Sequence, residues 1–199
     1  MSLTATIRNA TQTLIDHLDE LTALDQAIGD GDHGLNMKRG AQAIQARLAE
    51  MEGTGLNESL KMMGKTCVAM IGGSSGPVFG TLLMTMGKLL PEEPDTADFA
   101  ASLRASIEAL TRLGKAEVGQ KTLLDVLDPV QKVLAEGGAD VIARVRQSAL
   151  DAAAATAHME ATRGRSSFLG DRAMGHVDPG SRSMALLICS VCDSLSQPS

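Results

Sequence analysis

A short acidic stretch, residues 24–36, concentrates the side chains of this sequence that are best suited to chemistry. It contains three carboxylates and one imidazole spaced by glycines, namely Asp25, Asp30, Asp32 and His33 with Gly29, Gly31 and Gly34. So many acids in one short segment repel each other unless a cation lies among them. Mg²⁺ prefers such oxygen ligands, and glycines let backbone amides approach an anion. The stretch alone indicates either a magnesium–phosphate site or an Asp/Gly turn that caps a helix.

Three further loops carry glycines and polar side chains. Residues 72–77 read Gly-Gly-Ser-Ser-Gly-Pro, a turn whose amide groups suit a phosphate or a ribose. Residues 114–122 form a second polar loop, and residues 162–178 form a third, long loop that contains Arg165 and Arg172. Arginines in an acidic chain can clamp phosphate in a bidentate manner, although solvated surface arginines are commoner. Loops as long as the third usually carry function.

Helices with short connections are the elements that must position these loops. Apolar residues recur at steps of three and four, and β-branched residues never cluster with period two. The pattern predicts helices at about 3–23, 35–51, 57–71, 78–89, 95–113, 123–136 and 138–161, and a last helix capped by Asp178. We expect an all-α barrel or bundle of about eight antiparallel amphipathic helices in one domain, residues 1–199.

Alternation of the helix direction predicts where the loops lie. The polar loops at 25–36, 72–77, 114–122 and 162–180 follow the first, third, fifth and seventh predicted helices. In an antiparallel bundle these connections share one end, and the remaining connections share the other. The sequence therefore predicts that its chemistry is gathered at one end of the molecule.

Composition and charge exclude several classes of function. A net charge of −6 argues against nucleic acid or an anionic membrane as the main partner. The sequence has no N-terminal signal segment and no apolar run of about 18 residues, so we expect a cytoplasmic protein. The chain contains no Trp or Tyr and only three Phe, whereas Ala, Leu and Met are abundant, which is typical of a helical protein.

Three other site patterns fail on spacing. The segment Gly64-Lys65-Thr66 resembles the end of a phosphate-binding loop, but Ser59 stands where that loop needs glycine and no strand precedes it. An EF-hand that starts at Asp30 lacks its later ligands. The histidines and cysteines share no zinc-ligand spacing, and Cys189 and Cys192 lie in an apolar helical run, where packing is the expected role.

Together, the four loops resemble those of a known family. The chain resembles the ADP-binding L subunit of bacterial dihydroxyacetone kinase and the equivalent C-terminal domain of ATP-dependent dihydroxyacetone kinases. The residues that carry the resemblance are Asp25-x4-Gly29-Asp30-Gly31-Asp32-His33-Gly34-x-Asn36, Gly72-Gly73-Ser74-Ser75-Gly76-Pro77-x-x-Gly80-Thr81, Gly114-Lys115-Ala116-x-x-Gly119-x-Lys121-Thr122 and Gly164-Arg165-x-x-x-Leu169-Gly170-x-Arg172-x-x-Gly175-His176-x-Asp178-Pro179-Gly180. The match runs in order through nearly the whole chain. Ser74, Gln120 and Phe168 depart from the family's usual residues, and none of these changes removes an implied ligand.

The resemblance implies a nucleotide site that contains two Mg²⁺ ions. Asp25, Asp30 and Asp32 would hold the metals on the nucleotide phosphates. The residues that would bind ADP or ATP are His33, Gly34, Leu35, Asn36, Ser74, Ser75, Gly114, Leu123, Arg165, Asp178, Pro179 and Gly180. The family fold is a barrel of eight antiparallel helices with the nucleotide at one end. Without Trp or Tyr, the adenine must rest on backbone and on aliphatic or Met side chains.

The resemblance also implies a phosphotransferase that works only with other chains. Phosphate would pass from Mg-bound ATP to dihydroxyacetone held by a K subunit, and the retained ADP would be recharged by a phosphohistidine-bearing M subunit. The resemblance implies no nucleic-acid or membrane partner and leaves a homodimer open. Two alternatives remain: a subunit that uses free ATP to phosphorylate another ketose, such as a four-carbon sugar, and a nucleotide-loaded partner of a transcription regulator.

Overall fold

In the computed structural model, which describes residues 2–196 apart from the side chain of Arg165, helices joined by short loops form the whole fold. The α-helices are α1 Leu3–Asp16, α2 Leu18–Ile28, α3 His33–Gln45, α4 Leu48–Met51, α5 Leu56–Met70, α6 Ser75–Leu89, α7 Thr96–Gly114, α8 Leu124–Glu136, α9 Val141–Ala155 and α10 Pro179–Ser196. Two 3-10 segments, Thr156–His158 and Arg165–Ala173, lie between α9 and α10. The described residues contain no strand, so the all-α prediction is confirmed. None of the described helices is long and apolar enough to cross a membrane.

Side-chain caps determine where two of these helices begin. Asp95 accepts a hydrogen bond from the Asp98 amide at 2.9 Å, and Asp98 accepts one from the Asp95 amide at 3.0 Å, which together form a capping box for α7. Asp178 accepts the Ser181 amide at 2.7 Å at the start of α10, with Pro179 as the first helical residue. Both starts agree with the sequence prediction.

The first predicted helix is instead two helices. The chain breaks at His17, where both the main-chain N–H and ring Nδ1 bond to the Thr13 carbonyl, at 3.2 and 2.7 Å. This double contact ends α1, and α2 then continues to Ile28, five residues beyond the predicted end at residue 23. The extension carries Asp25 on a helix instead of in a loop.

The helices pack in a closed order around a shared core. α1 packs on α3, α3 packs on α5, each helix from α5 to α9 packs on the next one in the chain, and α10 returns to α1. α1 and α10 run antiparallel, because Asn9 donates to Ser194 at 3.5 Å and the hydroxyls of Thr13 and Ser190 lie 3.2 Å apart. The largest fully buried apolar side chains of this core are Leu21, Met37, Met51, Val126 and Leu127.

A small second core attaches the long loop to α2. Ile28, Ala161 and Ala173 are buried together, and Leu169 packs against them. We call these four residues the latch cluster. It places the 3-10 segment Arg165–Ala173 against the end of α2, beside the acidic stretch. The sequence prediction of an irregular loop at residues 162–178 was wrong over this segment.

The three cysteines are buried, unlinked thiols. Burial raises the pKa of the Cys67 thiol to about 12 and that of the Cys192 thiol to about 11. Because a thiolate is the reactive form, these thiols are poor nucleophiles at neutral pH. Cys189 and Cys192 lie on the buried face of α10, in agreement with the predicted packing role.

Candidate functional site

One cleft brings the four polar loops together. It encloses about 290 Å³ and is bordered by the junction of α2 and α3, the turn at 72–75, the segment 114–124, and parts of the chain between 163 and 180. Each border follows a helix that runs in the same direction through the bundle. The loops therefore meet at one end of the molecule, as the alternation of helix directions predicts.

A more open groove of about 700 Å³ lies between α8 and α9. Its polar side chains already bind one another. Arg144 pairs with Glu136 at 2.7 Å and with Asp140 at 3.1 Å, and Gln147 donates to Asp151 at 2.8 Å. The groove has no convergent set of groups comparable with that of the cleft.

Three aspartates converge at the cleft. Asp25, Asp30 and Asp32 each offer a carboxylate oxygen, and these oxygens lie within 4.8 Å of one another. Gly31, with φ of +79°, lets the chain turn between the last two. Oxygen atoms of three carboxylates at this spacing match the donor set of a hard divalent cation such as Mg²⁺. We call these residues the acidic trio.

Close packing of α3 on α2 fixes the backbone beside the acidic trio. A Cβ atom at Gly34 would collide with the Thr22 hydroxyl and the Leu18 carbonyl, so only glycine allows this approach. The first-turn amides of α3, which include those of Gly34 and Leu35, have no acceptor within the helix. They open toward the acidic stretch and form a ready site for an anion.

His33 links the acidic trio to the opposite wall of the cleft. Its main-chain N–H donates to Asp25 at 3.0 Å, and its ring lies between two hydroxyls, with Nε2 3.1 Å from Ser183 and Nδ1 3.4 Å from Ser75. Because the Ser183 hydroxyl donates to the Gly180 carbonyl, we assign the ring proton to Nε2 and the role of acceptor to Nδ1. Burial lowers the pKa of His33, and the nearby Asp25 charge opposes this shift in part. The imidazole is therefore neutral at pH 7.

Asp178 closes the cleft at the start of α10. Its carboxylate accepts the amide of Ser181 at 2.7 Å and the hydroxyl of the same residue at 2.9 Å. Burial nevertheless raises the pKa of Asp178 to about 6, against the opposing effect of these hydrogen bonds and of the Lys121 charge. The same carboxylate thus caps a helix and remains easier to protonate than an exposed aspartate.

The charges around the cleft favour a cation together with an anion. Asp25, Asp32 and Asp178 line it, whereas Lys121 and Arg163 are the basic side chains among its described lining residues. A bare phosphate would be repelled by the acidic trio at this position. A divalent cation bound to the carboxylates reverses the local sign and makes the site suitable for a phosphorylated ligand.

Most of the residues proposed from the sequence border this cleft. The lining set includes Asp25, Asp32, His33, Ser74, Ser75, Gly114, Leu123, Asp178, Pro179 and Gly180. Asp30 belongs to the acidic trio at its edge. Gly34 packs against α2, Leu35 is exposed, and Asn36 is buried next to Gly72, so only the main chain of this turn is available to a ligand in the cleft. The Arg165 side chain lies outside the described part of the structure.

A family model described as the DAK2 domain matches residues 27–193. The chain belongs to the DAK2 domain family. The match includes the acidic residues Asp30 and Asp32 and the other three loops of the cleft.

Two relatives of this DAK2 domain differ in their overall length. This chain is 40% identical over 168 residues to the Listeria innocua protein named PEP-dependent dihydroxyacetone kinase 1, ADP-binding subunit DhaL. The match covers 84% of this chain and 82% of that protein. It is 36% identical to the D-erythrulose kinase of Mycolicibacterium smegmatis, covering 92% of this chain and 33% of the kinase. The DAK2 domain thus matches one relative over most of its length and the other over about a third.

A solved structure has the same fold as this DAK2 domain. The crystal structure of the dihydroxyacetone kinase from C. freundii in complex with AMP-PNP and Mg²⁺ superimposes with a TM-score of 0.78 at 24% identity. The superposition covers 96% of this chain and 33% of that one. At this level of identity the likeness establishes the fold.

Two buried charged residues of this DAK2 domain were not among the site residues proposed from the sequence. Lys121 and Asp125 are 1% and 4% exposed. Asp125 accepts the Thr122 amide at 2.7 Å and the Gly119 amide, which folds the loop before α8. The sequence did contain a signal for their burial. The polar run that ends in Lys121-Thr122 lies directly before an apolar helix, where a charged side chain has little access to solvent.

Proposed function

We propose that this chain is the nucleotide-binding subunit of a dihydroxyacetone kinase, which transfers phosphate from Mg-bound ATP to dihydroxyacetone on a partner K subunit. The observation that carries the proposal is the acidic trio, whose three carboxylate oxygens lie within 4.8 Å of one another beside a cleft of about 290 Å³. The relative from Listeria innocua, which has the same domain over most of its length, is named an ADP-binding subunit of such a kinase.

The acidic trio is proposed to hold two Mg²⁺ ions. Its oxygen donors fit that ion, and its geometry leaves the remaining coordination positions to water and phosphate oxygens. Bound there, the metals would neutralise the charge of the phosphates and of the group being transferred. Asp25 is the most deeply buried of the three, and its carboxylate accepts the His33 amide.

The protein groups around the trio are proposed to bind and orient the nucleotide. The first-turn amides of α3 at Gly34 and Leu35 would donate to a phosphate, whereas the Asn36 amide already donates to the Asp32 carbonyl at 3.0 Å. The neutral His33 ring would keep the Ser75 hydroxyl oriented at the cleft. Ser74 and Ser75 begin α6, so their amides also lie at a helix start. The remaining implied contacts to the nucleoside are Gly114, Leu123, Arg165, Asp178, Pro179 and Gly180.

An aliphatic wall is proposed for the adenine. Leu123 lines the cleft together with Val78, Phe79 and Leu110. Phe79 is 4% exposed and belongs to the core, so it supports this wall mainly by packing beneath it. Apolar side chains of this kind bury the base, while hydrogen bonds from the main chain position it.

Transfer requires an acceptor hydroxyl in line with the terminal phosphate. In two other pockets among the described residues the charged side chains pair with neighbours. Arg144 pairs with Glu136 at 2.7 Å in the groove between α8 and α9. In a pocket of about 420 Å³ beside α1 and α10, Arg146 pairs with Asp193 at 2.9 Å and Arg182 with Glu20 at 2.6 Å. We therefore assign ketone binding to a partner K subunit docked at the open side of the cleft. Retained ADP would be recharged by the phosphohistidine-bearing M subunit, which would make the nucleotide a cofactor.

A second candidate is a subunit acting on a four-carbon ketose with free ATP. The observation that favours it is the 36% identity to a D-erythrulose kinase over 92% of this chain. In that relative the matching part is a third of a longer protein. The near full-length match to an ADP-binding subunit gives dihydroxyacetone and a separate K subunit the stronger support.

The decisive experiment is a reconstitution. The purified chain is incubated with MgATP and either dihydroxyacetone or erythrulose, with and without a K subunit, and the sugar phosphate is measured. We expect product only when the K subunit is present, and faster product from dihydroxyacetone. Multiple turnovers by this chain alone would contradict the half-enzyme proposal, and a preference for erythrulose would favour the second candidate.

A further inference from the structure

Lys121 is a buried ammonium group whose hydrogen bonds all go to main-chain carbonyls. Its Nζ donates to the carbonyls of Thr156 and His176, both at 2.7 Å, and to that of Met159 at 3.4 Å. An ammonium has three N–H donors, and three acceptors are present. Burial lowers the pKa of Lys121, while the nearby Asp178 charge opposes this shift.

The three carbonyls belong to two separate segments behind the cleft wall. Thr156 and Met159 follow α9, and His176 precedes α10. The same two segments are joined directly by two further hydrogen bonds, from the Gly175 amide to the Ala157 carbonyl at 2.8 Å and from the Asp178 amide to the Thr156 hydroxyl at 3.0 Å. Lys121 therefore lies where three parts of the chain meet.

The main chain of Lys121 is itself held in place. It adopts a φ of +60°, a conformation that non-glycine residues rarely take. Asp125, in the first turn of α8, accepts the amides on both sides of it, at Gly119 and Thr122. Such a conformation persists only where the surroundings fix it, and the buried ammonium with its three acceptors supplies that constraint.

We propose that Lys121 is the positioning residue of the nucleotide cleft: it joins the loop 114–122 to the segments 156–159 and 176–178, and it does not contact the phosphates. This inference rests on the proposed nucleotide-binding function. Gly114 and Leu123 lie on one side of this junction, and Asp178 to Gly180 lie on the other, so the junction sets the width of the cleft between them.

The alternative role for this lysine is direct contact with phosphate. The run Gly119-Gln120-Lys121-Thr122 resembles the glycine–lysine–threonine pattern of loops in which a lysine binds phosphate. In this structure that role would require the ammonium to leave three carbonyls, of which that of Thr156 is wholly buried with its residue. Each carbonyl would lose its charged donor, which disfavours the movement.

The test measures main-chain protection and nucleotide affinity in one variant. Lys121→Met keeps the length and the apolar stem but removes the three donors. Without nucleotide, we expect faster hydrogen exchange at the Gly175 and Asp178 amides and unchanged exchange in α5. At a temperature where the variant is fully folded by circular dichroism, we expect the Kd for MgADP to rise at least about tenfold, as for the loss of about 1.4 kcal/mol.

Control variants separate the possible outcomes. Lys132→Met removes an exposed lysine of α8 that pairs with Asp128, and it should change neither readout. Lys121→Gln removes the charge but keeps an amide group that can donate to a carbonyl, and it carries the same test if Lys121→Met does not fold. Weaker MgADP binding with unchanged exchange would overturn the proposal in favour of phosphate contact. Faster exchange with unchanged affinity would also overturn it. Failure of the wild-type chain to bind MgADP would instead contradict the proposed function.

Discussion

At the scale of single residues, the environment gives similar side chains different roles. Asp25 is buried and bonded to the His33 amide, whereas Asp178 is half-buried at a helix start, where desolvation raises its pKa to about 6. Asp125 has a third role, since it folds a loop through two amides. The sequence predicted the acidic trio because three acids so close together need a cation. It did not predict Lys121, because its acceptors are main-chain carbonyls distant in the sequence.

Asp30→Asn should weaken MgADP binding steeply. The change removes one negative charge and one strong oxygen ligand from the acidic trio while conserving the size of the side chain. We expect a loss of at least about tenfold in affinity, or about 1.4 kcal/mol, in isothermal titration calorimetry at fixed Mg²⁺. Asp151→Asn, an exposed aspartate on α9, is the matched control. Equal affinity of the Asp30 variant and the wild type would rule out this metal assignment.

Asp178→Asn should flatten the dependence of stability on pH when nucleotide and metal are absent. The pKa of Asp178 is raised in the folded state from 3.8 to about 6, so between these values the native protein retains a proton that the unfolded chain has lost. The free energy of unfolding of the wild type therefore falls as pH rises through this range, by up to about 3 kcal/mol at about 1.4 kcal/mol per pKa unit. Asparagine still accepts the Ser181 amide but does not titrate. Urea titrations at several pH values should show the two curves diverging, and parallel curves would contradict the raised pKa.

At the scale of the helices, local chemistry determined the predictable boundaries. The starts at Asp95 and Asp178 follow from side chains that accept amides in the first turn. The break at His17 was not predictable, because the apolar spacing continues across it. The third helix, expected to begin at about residue 57, begins at Leu56, and the Asn57 side chain donates to the Leu90 carbonyl at 2.6 Å.

Leu169→Ser should loosen the 3-10 segment Arg165–Ala173 without unfolding the bundle. Leu169 is a member of the latch cluster and packs against its buried residues, which include Ile28 at the end of α2. Losing this contact frees the segment beside the acidic trio, so we expect faster cleavage within residues 162–178 in limited proteolysis and a several-fold weaker affinity for MgADP. Phe168→Ala, at a neighbouring residue that is 89% exposed, is the control and should leave both unchanged. An unchanged cleavage rate in the Leu169 variant would mean that the latch cluster does not restrain the loop.

At the scale of the whole molecule, the alternation of helices brings the chemistry together. An odd-numbered predicted helix precedes each polar loop, and the structure gathers all four loops around one cleft. This could be read from the sequence because the loops differ so clearly from the helices in glycine and polar content. The first predicted helix proved to be two, yet α1 and α2 together still deliver the acidic stretch to that end. The packing order of the helices depends on contacts between distant residues and was not specified by local patterns.

MgADP should raise the melting temperature of the whole domain, because a ligand that binds only the native state stabilises it by mass action. At about 100 times its Kd the expected gain is about 2.7 kcal/mol. Scanning calorimetry with and without EDTA measures this effect and its dependence on metal. A shift that survives EDTA would show that the nucleotide binds without the acidic trio's cation.

The chain contains no Trp or Tyr, so the adenine absorbance of the purified protein reports any nucleotide that remains bound to it.

The antiparallel pairing of α1 with α10 has a consequence for the order of synthesis. Asn9 and Ser194, which bond to each other, are 185 residues apart. On the ribosome, the side of α1 that α10 covers stays exposed until α10 has emerged. Closure of the helix circle is thus a late, long-range event, and such events are slow to form. Nascent chains released before α10 is complete should expose this apolar side of α1 and aggregate, whereas chains that include α10 cover it.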